Sequence, residues 1–169
     1  MAKFNIWSAV AAGTAAGIVA GMVKMGWENI LPPRTPARDA TNPPQRTLEM
    51  MGISPEAAHA TYSYNGHDLP WPSYLVHYTF STGFGIAYTV LGHYFPIIKT
   101  GHGLFFGLAA WAGAHLYTLP KMGVIPAAAD QPVEEHVSEA LGHMLWMWSI
   151  DAIGNTFYER MTALHQDQD

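Results

Sequence analysis

The chain has 169 residues, a formal charge of −5, 12% charged against 49% hydrophobic residues, and no cysteine. That length suits one domain with a real core, and the charged share is about half of what a soluble domain carries. Disulfides, thiolate metal sites and a cysteine nucleophile are excluded, and an acidic balance without Lys/Arg runs argues against nucleic acid.

Residues 4–27 open with an apolar run long enough to cross a bilayer. A cleaved signal peptide is the rival, but Lys24, Trp27 and Glu28 follow where a small-residue cleavage site belongs. Ala9, Gly13, Gly17 and Gly21 recur every four residues, so another helix backbone can approach closely. Packing within the chain is the preferred use of this stripe, and a homo-oligomer or a scaffold role in a larger membrane complex is the alternative. Lys24 and Glu28 continue the same face as a favourable i,i+4 pair.

Residues 31–72 read as a long, proline-rich surface loop. The stretch LPPRTPARDATNPP holds five prolines, which oppose regular helix. A short helix is expected within residues 43–53 and a second one behind Ser54-Pro55-Glu56, running through His59. Tyr64-Asn65-Gly66 is turn chemistry. Loops of this length with their own helices are often functional, and this one is expected to lie on the membrane surface as a lid anchored by Arg34.

Trp71 and Tyr74 mark a membrane interface, and three further spans are expected at residues 73–95, 101–119 and 133–155. The second carries His77, Thr79, Ser81 and Thr82, which suits a helix facing other helices. The third contains His115 and should stop at Pro120. The fourth carries Glu139 and His143 on one face, with Ser138 beside them and Asp151 returning near that face two turns later. Residues 160–169 should fray as a short tail. The fold class is therefore an all-α membrane protein: four transmembrane helices in an up-down bundle forming a single domain. Basic residues divide over both membrane faces, so charge favours neither orientation.

Up-down connectivity puts the end of helix 1, the start of helix 2, the end of helix 3 and the start of helix 4 at one membrane face. Those positions carry Lys24 and Glu28, His77, His115, and Glu139 with His143. The bland reading is that these groups satisfy each other and fix helix register. A second is a proton-responsive or proton/small-ion-conducting cluster of Glu28, His77, His115, Glu139 and His143, supported by Lys24, Arg34, Ser138 and Asp151. A third is a metal or haem site, with His77, His115, Glu139 and His143 as ligands for zinc or iron in an oxidoreductase. A di-iron reading is weak, because Glu139-x-x-x-His143 lacks the i, i+3 spacing and occurs once. No G-x-S-x-G, P-loop, H-E-x-x-H or G-x-G-x-x-G motif is present, which favours a non-enzymatic protein.

The motifs KMGWENILPPRTP, HYFPIIK, LPKMGVIP and VSEALGHMLWMWSID, with His77 and Ser81 in the second span, resemble the YagU family of small bacterial inner-membrane proteins. The resemblance runs from about residue 17 to residue 151. It implies an inner-membrane location and a link to survival in acid, without a mechanism. The matching positions include Lys24, Glu28, Pro32, Pro33, Arg34, His77, His115, Glu139, Gly142 and His143, which favours a functional cluster over a purely structural one. The expected function is a multi-pass, pH-responsive membrane protein, with the lipid bilayer as its surroundings.

Overall fold

The computed structural model describes residues 4–31 and 35–166. Helix α1 spans Ile6–Ile30, capped by Asn5, whose side chain accepts from the Trp7 and Ser8 amides at 3.0 and 3.1 Å. Its buried residues, including Ala9, Ala12, Gly13, Ala16, Gly17, Ala20, Gly21 and Lys24, recur at helical spacing on one face. The loop then holds α2 (Pro36–Ala40), α3 (Pro43–Met50), α4 (Pro55–Ala58) and a hairpin of β1 (Tyr62–Tyr64) and β2 (His67–Leu69). Helix α5 spans Trp71–Tyr94. Helix α6 (Leu104–Trp111) passes into a π-helical segment, Ala112–Thr118, and then α7 (Leu119–Met122). Helix α8 is the longest, Val133–Gln166.

The fold is all-α apart from the small hairpin. Among the described residues only α1 is long and apolar enough to cross a membrane on length and composition alone. The other three expected spans do not meet that measure. The third is divided into pieces of 8, 7 and 4 residues, and the other two are diluted by the polar groups that the helices turn inward. Three boundaries also differ. Pro36 opens a helical turn in the proline-rich stretch, because a proline in the first turn forfeits no helical hydrogen bond. Pro120 does not stop the third segment, which continues directly from the π-helical stretch and ends at Gly123, whose φ of 74° suits glycine. The expected fraying tail is helix through Gln166, since residues 156–166 contain neither glycine nor proline.

Glycine sets the helix contacts. A Cβ on Gly17 would lie 2.5 Å from the Thr82 Cα, and one on Gly13 would lie 2.6 Å from the Gly85 carbonyl oxygen. Gly21 faces Tyr78, so α1 and α5 are antiparallel with their backbones nearly touching. The stripe is thus occupied within the chain. Helix α8 packs along α1 in the opposite sense, with Gly154 near Ala16 and Gly142 near Lys24 and Trp27. Helix α6 lies antiparallel to α8, with Gly103 against the Met147 carbonyl and Gly107 against that of His143.

The interior holds Ala16, Ala20, Tyr88, Trp146, Met147 and Ile150, flanked by Phe84, Ile98, Phe106 and Ile153. Close approach also lets three helices share polar bonds. The Trp146 indole donates to Ser81 Oγ at 2.8 Å, and the Ser81 hydroxyl donates to the Gly17 carbonyl at 2.6 Å. In the loop, Asn42 and Gln45 form a reciprocal capping box that starts α3, and Ser54 caps α4. Asn65 and Gly66 both have positive φ, as a two-residue hairpin turn requires. Ser73 Oγ donates to Asn42 Oδ1 at 3.0 Å, tying the loop to α5.

Candidate functional site

The carboxylate of Glu139 is the hub of the polar end. It lies two turns into α8, opposite the last turns of α1. Lys24, buried at 5% exposure, reaches across with its ammonium 2.9 Å from Glu139 Oε2 and 2.5 Å from Glu28 Oε1. From the loop, Arg38 on α2 places one guanidinium nitrogen 3.3 Å from Glu139 Oε1 and bonds Glu135 Oε2 with the other. Glu135, 2% exposed, also accepts from the Thr35 amide at 2.8 Å. A carboxylate this deep requires such compensation, since an unpaired buried charge is among the costliest groups to bury.

Two imidazoles complete the hub. His115 Nε2 lies 4.0 Å and His143 Nδ1 3.8 Å from Glu139 Oε2, the same oxygen that Lys24 holds. The rings meet edge to face at 4.9 Å between centroids. His143 Nδ1 lies 2.8 Å from the Glu139 carbonyl; an acceptor there makes Nδ1 the protonated nitrogen and leaves Nε2 a lone pair. The buried Nδ1 of His115 has no hydrogen-bond partner. His115 belongs to the π-helical segment, where the wider winding shifts the face that a regular helix would present. Thr118 bridges back to the Gly113 carbonyl at 2.8 Å within that segment.

Five expected residues are thereby brought together: Lys24, Glu28, His115, Glu139 and His143. Ser138 adjoins them differently. Its hydroxyl donates to the Leu31 carbonyl and its own carbonyl accepts from the Trp27 indole, both at 3.0 Å, fastening the end of α1 to α8. His77 stands apart, with Nε2 3.0 Å from the Gly21 carbonyl, so it is not among the groups that reach Glu139. Asp151 lies at the other end of the bundle, against Tyr88 and Asn155. Arg34, Pro32 and Pro33 fall outside the described residues.

Two members escaped the sequence reading. Glu135 carried a signal, because it precedes Glu139 by four and His143 by eight residues and shares their face. Arg38 carried none, since 97 residues separate it from Glu135.

His115, Glu139 and His143 each offer a donor atom, and the three atoms lie within 4.8 Å of one another. They are the residues that could hold a metal, without His77. Both oxygens of Glu139 already face a cationic side chain, however, and a divalent ion would have to displace Lys24. A proton taken up on an imidazole nitrogen can enter before any contact of Glu139 is displaced.

The model of a protein family described as of unknown function, DUF1440, matches residues 18–152. The chain is 34% identical to the Escherichia coli (strain K12) protein called Inner membrane protein YagU, over 89% of this chain and 84% of that one. No solved structure matches.

Proposed function

The chain belongs to the DUF1440 family and is an inner-membrane protein, and from that premise we propose that it responds to acid through Glu139 and the two imidazoles beside it. In this reading α1, α5, the α6–α7 segment and α8 form an up-down four-helix bundle across the bilayer, with the polar loop at one membrane face. What supports the bundle is the antiparallel register at each glycine contact and the inward turn of the polar side chains.

The carrying observation is the crowding at one carboxylate. Lys24 from α1, Arg38 from α2, His115 from the π segment and His143 from α8 all converge on Glu139, with Glu28 and Glu135 beside the two permanent cations. A proton on either imidazole adds a third cation to a carboxylate with two oxygens. Its repulsion of Lys24 and Arg38 weakens the hold of both on Glu139. Release of Lys24 loosens α1 from α8, and release of Arg38 frees the loop. Protonation thus becomes motion of the surface segment, which is how the protein would contribute to survival in acid.

A proton or small-ion pathway is the weaker form of this reading. Trp146, Met147 and Ile150, with Ala16, Ala20 and Tyr88, form an apolar layer between the Glu139 hub and Asp151. A dry layer suits a sensor better than a conduit.

The test uses the full-length protein in lipid nanodiscs, acidified from about pH 8 to about pH 3, a range that contains ordinary imidazole and carboxylate titration. Imidazole nitrogen NMR should register proton uptake at His115 or His143, and amide exchange should rise across residues 35–40. Both responses should vanish in the His115→Ala/His143→Ala double variant. An unchanged loop in the acidified wild type sinks the proposal. Stoichiometric metal in the purified protein, lost from the double variant, would replace it with a metal-binding reading.

A further inference from the structure

The opposite end of the bundle holds a cleft of about 200 Å³, lined by Phe4, Thr89, Gly92, His93, Lys99, Asn155 and Tyr158. It lies where α5 ends and the short Pro96–Lys99 turn leads toward α6. Lys99 folds back into it, with its stem over Gly92: a Cβ on that glycine would lie 2.5 Å from Lys99 Cε. The ammonium donates to Asn155 Oδ1 at 2.7 Å, and the Asn155 amide donates in turn to Asp151 Oδ1 at 2.9 Å. Among the described residues Lys99 has no carboxylate partner of its own, so two of its three N–H donors remain for a ligand.

A second donor points to the same kind of ligand. Tyr158 OH accepts from the Asn5 amide at 3.1 Å, which leaves its own hydrogen to donate. The third wall is aromatic, with the Phe4 ring stacked on His93 at 4.0 Å and 10°. Beyond the rim the surface is apolar and open: Tyr94, Phe95 and Ile97 are 60%, 58% and 77% exposed. Aromatic side chains and a lysine at the end of membrane helices mark headgroup depth.

We propose that this cleft binds the phosphodiester of an anionic phospholipid. Lys99 and Tyr158 would hold the phosphate oxygens, while the acyl chains run along Tyr94, Phe95 and Ile97. The ligand is lipid rather than free phosphate because the polar donors open onto an apolar rim. This inference rests on the membrane-spanning arrangement and is independent of titration at Glu139.

Native mass spectrometry of the detergent-purified full-length chain, with phosphatidylglycerol and phosphatidylcholine added in turn, tests it. Wild type should retain phosphatidylglycerol about fivefold better, the worth of one lysine near an anionic headgroup. Lys99→Gln should abolish the preference, Lys99→Arg should keep it, and His115→Ala/His143→Ala should leave it intact. Should Lys99→Gln fail to fold, Tyr158→Phe supplies the same reading through a reduced preference. An undiminished preference in a folded Lys99→Gln or Tyr158→Phe variant overturns the proposal. Inorganic phosphate that displaces the bound phosphatidylglycerol also overturns it.

Discussion

Helix α8 carries a carboxylate at each end of the bundle, Glu139 half-buried and Asp151 buried, and the two are satisfied in opposite ways. Glu139 is held by two permanent cations, Lys24 and Arg38, with two titratable rings waiting at 4.0 and 3.8 Å. Asp151, 4% exposed, is held chiefly by neutral donors, the Tyr88 hydroxyl at 3.0 Å and the Asn155 amide at 2.9 Å. His102 reaches it only at 3.4 Å from an exposed position. Neutral donors fix a carboxylate in place whatever the surrounding charge. Cations drawn from two separate segments, with titratable rings from two more, make the first carboxylate a junction whose partners can exchange. One helix thus carries a rigid end and an adjustable end, with Met147 and Ile150 between them.

The largest effect should come from removing the charge at each end. Glu139→Gln leaves Lys24 and Arg38 buried with one carboxylate each, and should cost about 3–5 kcal/mol, the range for breaking one side of a buried pair. Asp151→Asn keeps a similar shape beside donors that can re-form bonds, and should cost about 1–3 kcal/mol. Thermal unfolding of both variants in the same detergent measures the difference. Equal losses would mean that the two ends are the same kind of site.

The apolar layer that separates the ends should be next in sensitivity. Gly17→Leu drives a side chain into the Thr82 Cα and the Ser81 carbonyl and breaks the Trp146–Ser81–Gly17 junction. A cost of about 1–3 kcal/mol is expected from overpacking alone. Tryptophan fluorescence should report it through Trp146. Unaltered stability would show that α1 and α5 can separate freely, and the two ends could then communicate.

These contrasts were unequally legible in the sequence. The glycine stripe and the Glu139–His143 pair are local patterns at helical spacing, so Gly13, Gly17 and Gly21 declared their packing role and the two α8 residues their shared face. Up-down connectivity then brought Lys24, Glu28 and His115 to the same end. His77 misled because depth in a bundle does not fix direction around a helix, and its ring turns to the Gly21 carbonyl. Asp151 returns near that helix face but at another depth, and it lies at the other end of the bundle with Tyr88 and His102. Arg38 was invisible, since the path of a proline-rich loop across a bundle leaves no periodicity to read.

A smaller change sharpens the comparison from the α1 side. Ser138→Ala removes the hydroxyl bond to the Leu31 carbonyl but keeps the Trp27 indole bond, which goes to the backbone. The loss should be about 0.5–1.5 kcal/mol, as for a single neutral hydrogen bond. Amide exchange at the end of α1 should rise while the Asp151 end stays protected. Increased exchange at both ends would contradict the independence of the two sites.

The last prediction separates the hub from the loop above it. Glu49, at the end of α3, accepts from Arg46 at 2.9 Å and lies 2.9 Å from His59 Nε2. Hydrogen bonds from Arg46 and His59 hold its carboxyl below the ordinary value of 4.5. A depressed folded value means that this contact stabilises the loop above the unfolded value and is lost as pH falls through the folded one. Acid will therefore loosen the α3–α4 turn whether or not Glu139 changes partners. In Glu49→Gln the exchange of residues 43–59 should lose its acid dependence, while residues 35–40, held by Arg38, should still open in acid. If both segments become insensitive together, the acid response begins at Glu49 in the surface loop, and the crowding at Glu139 does not drive it.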